Sequence, residues 1–272
     1  MNYPSSNRLV FGCNSLTTLS NVKLGDELIN HAIREGINSF DTAPIYGKGY
    51  SEIFLGRISN KKEISISTKL GNYNSPNTFL PINLVLKLNQ IKKNIIQNKP
   101  KNITKQENGF KAVNLKSGYE FLEKLSIDYQ KSSYRLNKKK ISSYLLHMID
   151  PFYIDLIAGK EIIHLINYLN IPKMGYSGPI NKKFLDNQLP SWLTLIQTKL
   201  PMDNKEEEKI INELIDKNSQ LELRFFNVFR GPDISKSILK ARFYLENFRQ
   251  TKIIFQTRSK KRLTENIKML AL

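Results

Sequence analysis

Asn38-Ser39-Phe40-Asp41-Thr42-Ala43-Pro44-Ile45-Tyr46-Gly47 is the stretch from which the chain is best read. It begins in a short apolar run, Ile37 to Asp41, that reads as a strand, and it breaks at Pro44 into a loop carrying Tyr46. Asp41 therefore closes a strand and a tyrosine follows in the next loop. The placement recurs downstream. Ile64 to Thr68 alternates Ile with Ser and runs into Lys69, and Ser143 to His147 ends in Leu145-Leu146-His147, with Asp150 close behind. An Asp, a Tyr, a Lys and a His thus fall at or just beyond the C-terminal ends of successive strands.

Outward from that stretch the chain alternates short apolar runs with amphipathic segments. Leu9 to Gly12 reads as a first strand. Leu24 to Glu35 reads as a helix stopped by Gly36, and Ser51 to Ile58 as a short helix with Ser51 as its N-cap. After the third strand the rhythm breaks over residues 71–118, read as a long insertion with one possible helix over residues 82–97. It then resumes with helices at Tyr119 to Leu136, Leu156 to Leu169, Lys182 to Asn187, Asn204 to Lys217, Ile234 to Phe248 and Ser259 to Leu270. Strands at Ser143 to His147, Lys173 to Ser177, Leu193 to Thr198, Leu221 to Phe226 and Lys252 to Gln256 lie between them.

About eight strand–helix units result, the number a closed parallel barrel needs. No G-x-G-x-x-G turn follows the first strand, which argues against an open dinucleotide-binding sheet. The expected fold class is α/β, a (β/α)8 TIM barrel spanning residues 1–272 as one domain with the insertion inside it. In such a barrel the C-terminal ends of the strands form the active-site face.

The 272 residues suit one barrel. A single cysteine, Cys13, excludes an internal disulfide and favours a reducing compartment. Met1 to Arg8 lacks a signal-peptide core, and no apolar run nears the roughly 20 residues of a membrane span. A cytoplasmic protein without membrane insertion is expected. The net charge of +18 raises nucleic acid as a partner, yet the lysines are scattered and no nucleic-acid motif is present, so no specific nucleic-acid partner is expected. Three histidines and one cysteine, none at ligand spacing, leave no metal site to expect.

Taken singly, each polar strand-end residue has a plain structural reading: Asp41 a cap, Tyr46 a half-buried aromatic, Lys69 a surface charge, His147 a core histidine. Together they form a chemical set. An ammonium beside a phenol stabilises the phenolate, so Lys69 can lower the pKa of Tyr46, and Asp41 can hold Lys69 charged and oriented. His147 can donate to a carbonyl oxygen that Tyr46 then protonates, as hydride reaches the carbonyl carbon.

These residues resemble a known family. Asp41 to Gly47, Ser51-Glu52 and Leu55-Gly56 are similar to the first signature of the aldo-keto reductases. Lys69 and His147 resemble the rest of that family's tetrad. Met174-Gly175-Tyr176-Ser177, Gln197, and Thr257-Arg258-Ser259 with Glu265-Asn266 resemble its later motifs. The resemblance implies reduction of a small carbonyl substrate with Tyr46 as proton donor, and a nicotinamide cofactor held without a Rossmann fold. By the same resemblance Ser177 and Gln197 hold the carboxamide, Phe225 or a near neighbour lies by the nicotinamide ring, and Arg258 and Asn266 face the adenosine end. An arginine there suits a 2′-phosphate, which favours NADP over NAD.

The chain departs from the pattern at Gly178, where asparagine is usual, and at Gln256, where glycine is common. Residues 224–231 lack the frequent Tyr-Ser-Pro-Leu. These departures motivate a second expectation, a barrel of the same type serving as a catalytically weak binding or regulatory module.

Overall fold

The structure, a computed structural model, describes residues 6–19, 21–58, 63–71, 86, 117–202, 204–230 and 233–271. The strands are β1 (Leu9–Gly12), β2 (Ser39–Asp41), β3 (Ser65–Leu70), β4 (Ile141–His147), β5 (Met174–Ser177), β6 (Leu193–Lys199), β7 (Glu222–Phe226) and β8 (Thr251–Phe255). Each pairs in parallel with its sequence neighbours, and β1 pairs with β8, which closes the barrel. The helices are α1 (Val22–Arg34), α2 (Tyr50–Gly56), α3 (Gly118–Arg135), α4 (Pro151–Tyr168), α5 (Lys183–Asp186), α6 (Lys205–Lys217), α7 (Ile234–Asn247) and α8 (Lys260–Leu270). The expected TIM barrel is the observed one.

Strand alternation sorts the side chains into two layers. Leu9, Phe11, Phe40, Ile66, Tyr144, Leu146, Leu223 and Phe225 belong to the apolar core between barrel and helices. Residues of opposite parity face the barrel interior and, at the strand ends, its mouth. Leu86, described within the expected insertion, is also buried in the core. The rest of that insertion, and the helix expected over 82–97, lies outside the described residues apart from Gly71, Ser117 and Gly118.

Several boundaries differ from expectation for identifiable reasons. α1 starts at Val22 because the Asn21 side chain accepts from the backbone N–H of Leu24. α4 starts at Pro151, five residues before the expected Leu156. Asp150 caps it by accepting from Phe152 and Tyr153, and Pro151 fits a first turn that needs no N–H there. Ala158 (φ −150°) then bends that helix. Ser51 is not an N-cap. Gly49 holds that position, and Ser51 is buried in the first turn of α2, where its hydroxyl accepts from Thr42 (2.8 Å) and donates to the Cys13 carbonyl (3.0 Å).

Candidate active site

The site is built on the ends of β2, β3 and β4. Asp41 ends β2, buried at its register partner Ser67. Lys69 is 0% exposed, so its charge needs internal partners. Its Nζ donates to Asp41 Oδ1 and Oδ2 (2.8 Å each) and to the Thr42 carbonyl (2.8 Å), and it lies 3.5 Å from the Tyr46 hydroxyl. Those contacts account for the ammonium's three donors. Burial alone would lower the pKa of Lys69, but Asp41 and Tyr46 outweigh it and hold it above the ordinary lysine value.

Tyr46 reaches Lys69 because of the backbone that follows it. Gly47 (φ 55°), Lys48 (φ 57°) and Gly49 (φ 89°) are three consecutive left-handed residues, and they turn the chain sharply from the loop into α2. Gly47 is required twice over, since a Cβ there would also run into Thr17. Behind the loop, Thr68 donates to the buried Glu52 (2.5 Å), and Glu52 pairs with Arg135 of α3 (2.5 Å).

The expected lowering of the Tyr46 pKa does not result. Lys69 acts in that direction, but burial outweighs it and leaves the phenol above its usual value of 10. His147, at the end of β4, is pulled down to about 3 by burial and then by Lys69. It is a neutral imidazole over the ordinary pH range. The cluster thus holds a protonated phenol and a neutral histidine around one buried ammonium.

A second group of residues stands beside this one. Register pairs His147 with Ser177 and Ser177 with Gln197, so the three form a row at the barrel mouth. Ser177 and Gln197 are both buried, and Gln197 Oε1 has no hydrogen-bond partner among the described residues. A buried amide oxygen without a partner is costly, and a ligand N–H would relieve it. The nicotinamide carboxamide supplies such an N–H, so the row fits that group.

Phe225 does not face the mouth. It packs outward on Tyr244 of α7, with ring centroids 4.6 Å apart. The alternation that sends Phe225 outward puts Phe226 on the inner face at the end of β7. Arg258 is exposed between β8 and α8. Beside it Ser259 caps α8 by accepting from the Arg262 N–H (3.4 Å), and the Ser259 N–H itself bonds to Thr257 Oγ1 (3.2 Å). Asn266 is buried within α8, about two turns from its start.

Gly178 has a local cause. A Cβ there would fall on the Tyr176 hydroxyl, 2.6 Å from its Cζ and 3.1 Å from Met148 Sδ. That hydroxyl is committed to the Pro179 carbonyl (2.8 Å). Sequence reading did not find this interlock, nor Thr42 as a ligand of Lys69, nor the Glu52–Arg135 pair. It also passed over Glu222 and Arg224. Two charges two apart within the strand expected at Leu221 to Phe226 were a usable signal there. No cluster of potential metal ligands occurs among the described residues.

An eight-stranded parallel barrel with Asp41, Tyr46, Lys69 and His147 gathered at its C-terminal mouth places the chain among the barrel oxidoreductases. The model of the Aldo/keto reductase family matches residues 8–153, just over half of the chain, and the chain belongs to that family. NAD(P)H-dependent oxidoreduction is therefore its general class.

Similar solved structures include the holo form of an aldo-keto reductase from Bacillus halodurans (18% identity, TM-score 0.65, 97% of this chain and 87% of that one). An aldo-keto reductase from Klebsiella pneumoniae in complex with NADPH is 11% identical (TM-score 0.65, 97% and 86%). The glycerol dehydrogenase from Gluconobacter oxydans is 17% identical (TM-score 0.65, 97% and 86%). At these identities the likeness is one of fold. No curated protein matches the chain. No helix among the described residues is long and apolar enough to cross a membrane.

Proposed function

We propose that this protein reduces a small aldehyde or ketone to the alcohol, with Tyr46 as proton donor and NADP as cofactor. One observation carries the reading: the Lys69 ammonium is sealed between Asp41 and the Tyr46 hydroxyl, at 2.8 and 3.5 Å. Its family membership and the NADPH complex of the Klebsiella pneumoniae relative support the cofactor.

The bound cofactor supplies hydride to the carbonyl carbon. The protein's part is done by its own residues. Neutral His147 donates to the carbonyl oxygen and orients it toward Tyr46. Negative charge then grows on that oxygen, and the Tyr46 hydroxyl gives up its proton to it. The fixed Lys69 charge behind the phenol stabilises the phenolate left behind, and Asp41 keeps Lys69 in place. Because burial keeps Tyr46 protonated, the donor stays loaded at neutral pH. Ser177 and Gln197 would hold the carboxamide, and Phe226, rather than Phe225, would be the aromatic residue offered to the nicotinamide. Arg258 and the N-terminus of α8 would take the adenosine phosphate, with Asn266 behind them. NAD remains the alternative cofactor.

Tyr46→Phe tests the reading. It should bind NADPH as the parent does, by fluorescence quenching, and lose about 10² to 10⁴ in kcat, the usual worth of a positioned acid. Parental turnover in that variant would remove the mechanism. A second reading, a barrel that binds cofactor but turns over poorly, is favoured by the Tyr176 hydroxyl filling the space beside Gly178. NADPH binding without reduction of any of a panel of aldehydes, keto sugars and 2-oxo acids would select it.

A further inference from the structure

One group of buried charges is not used by this chemistry. A TIM barrel interior is ordinarily packed with branched aliphatic side chains. Here Arg224 of β7 enters it at 3% exposure. Its Nε donates to Glu222 (2.6 Å), one Nη to Ser67 of β3, and the other Nη to Ser143 of β4 (3.2 Å). β7 pairs only with β6 and β8, so the two serine bonds cross the barrel.

The charges do not explain why an arginine is there. Glu222 is also paired with Lys173 (2.6 Å) and Lys252 (3.4 Å). Three cations share one carboxylate, and two would remain if Arg224 were removed. Those two lysines would keep Glu222 paired, so removing Arg224 weakens the carboxylate's stabilisation without orphaning its charge. What only Arg224 does is reach β3 and β4 with a rigid planar fork. Ser67 lies two residues before Lys69 on the same face of β3, and it pairs in register with Asp41. Ser143 lies four residues before His147 on the same face of β4. Ser67 and Ser143 are themselves register partners, so both forks grip one level of the barrel.

We propose that Arg224 is a positioning residue: a cross-barrel brace that sets β3 and β4 so that Lys69 and His147 meet the substrate oxygen together with Tyr46. The proposal rests on the reading of Lys69 and His147 given above. A shift of about 1 Å at a reacting group can cost about 10² in rate, so a brace one layer below the site is enough to matter.

The experiment uses the full-length protein with Arg224→Met, Arg224→Lys and the pair Ser67→Ala with Ser143→Ala. Four readouts are taken: thermal midpoint, NADPH dissociation constant, kcat with KM, and the nitrogen-15 NMR signal of the His147 ring. Arg224→Met loses the first of the cations that stabilise Glu222, so its thermal midpoint should fall, while the dissociation constant stays within twofold, kcat falls at least tenfold and the His147 signal shifts. Arg224→Lys keeps the charge without the fork, so it should recover part of the thermal midpoint but match Arg224→Met in kcat and in the His147 signal. The serine pair leaves every charge partnered and should move kcat and the ring signal the same way. Unchanged kcat and an unchanged ring signal in Arg224→Met overturn the brace. If that variant does not fold, the same two results in the serine pair overturn it. If the parent reduces no carbonyl, the functional reading fails, and the His147 signal alone decides the brace.

Discussion

A phenol that must donate a proton gains nothing from ionising early. Burial raises the Tyr46 pKa while Lys69 pulls it down, and the first effect is larger, so in the proposed mechanism the ammonium serves the phenolate formed during reaction rather than the resting state. His147 shows the same economy, since a ring held down to about 3 cannot compete for the proton. Gly178 belongs to this scale too. Restoring the family's asparagine with Gly178→Asn puts a side chain on Tyr176 and Met148. NADPH should then bind several-fold more weakly, and adding Tyr176→Leu should recover much of the loss; titration by fluorescence checks both. Tighter binding by the single variant would contradict the interlock. That Asp41, Tyr46 and Lys69 lie together was legible in the sequence because chemical residues at strand ends are conspicuous. The expectation of Phe225 or a near neighbour could not choose between adjacent phenylalanines, which differ by one step of strand parity; the contact with Tyr244 turns Phe225 outward. The Tyr176 interlock leaves no mark in the sequence beyond the glycine itself.

Elements put those residues where they act. The turn at Gly47-Lys48-Gly49 is the least forgiving, because a left-handed residue with a side chain costs about 1–2 kcal/mol. Gly47→Ala should destabilise the protein by at least that amount in urea, since the new methyl also meets Thr17. It should lower kcat more than it weakens NADPH binding, because Tyr46 is the neighbouring residue. A variant as stable as the parent would show that the turn can relax. Element starts were read less well than element identities. Asn21 and the Asp150-Pro151 pair are helix-start signals that the hydrophobic periodicity overrode, since periodic residues begin a few positions after a cap. Ser51 was the reverse case, a cap residue by type that is buried within the first turn by its bonds to Thr42 and Cys13.

At the scale of the whole molecule the barrel interior carries an acid-sensitive bond between strands. Burial pushes Glu222 up, but Arg224, Lys252 and Lys173 outweigh it and hold its pKa at about 2. A carboxylate lowered in the folded state stabilises it above the unfolded value near 4.3 and loses that contribution as pH falls toward 2. The contribution at pH 7 is on the order of 3 kcal/mol. Glu222→Gln should therefore be less stable than the parent at pH 7, with the gap closing between about pH 4.5 and 2. A gap that stays constant with pH would show that Glu222 is not the acid-sensitive group. The barrel itself was legible because eight apolar runs alternate with helices and lack a glycine-rich turn. Its polar filling was not, since which strands face each other across a closed sheet is a property of closure and not of any local pattern.

Closure has one more effect. Each of the eight described strands has a neighbour on both sides, so this sheet has no open edge. An open edge is where another chain adds a strand, as a bound peptide or as the start of aggregation. Those routes are shut to this sheet, and any association of the protein through its described residues must use helix faces and loops.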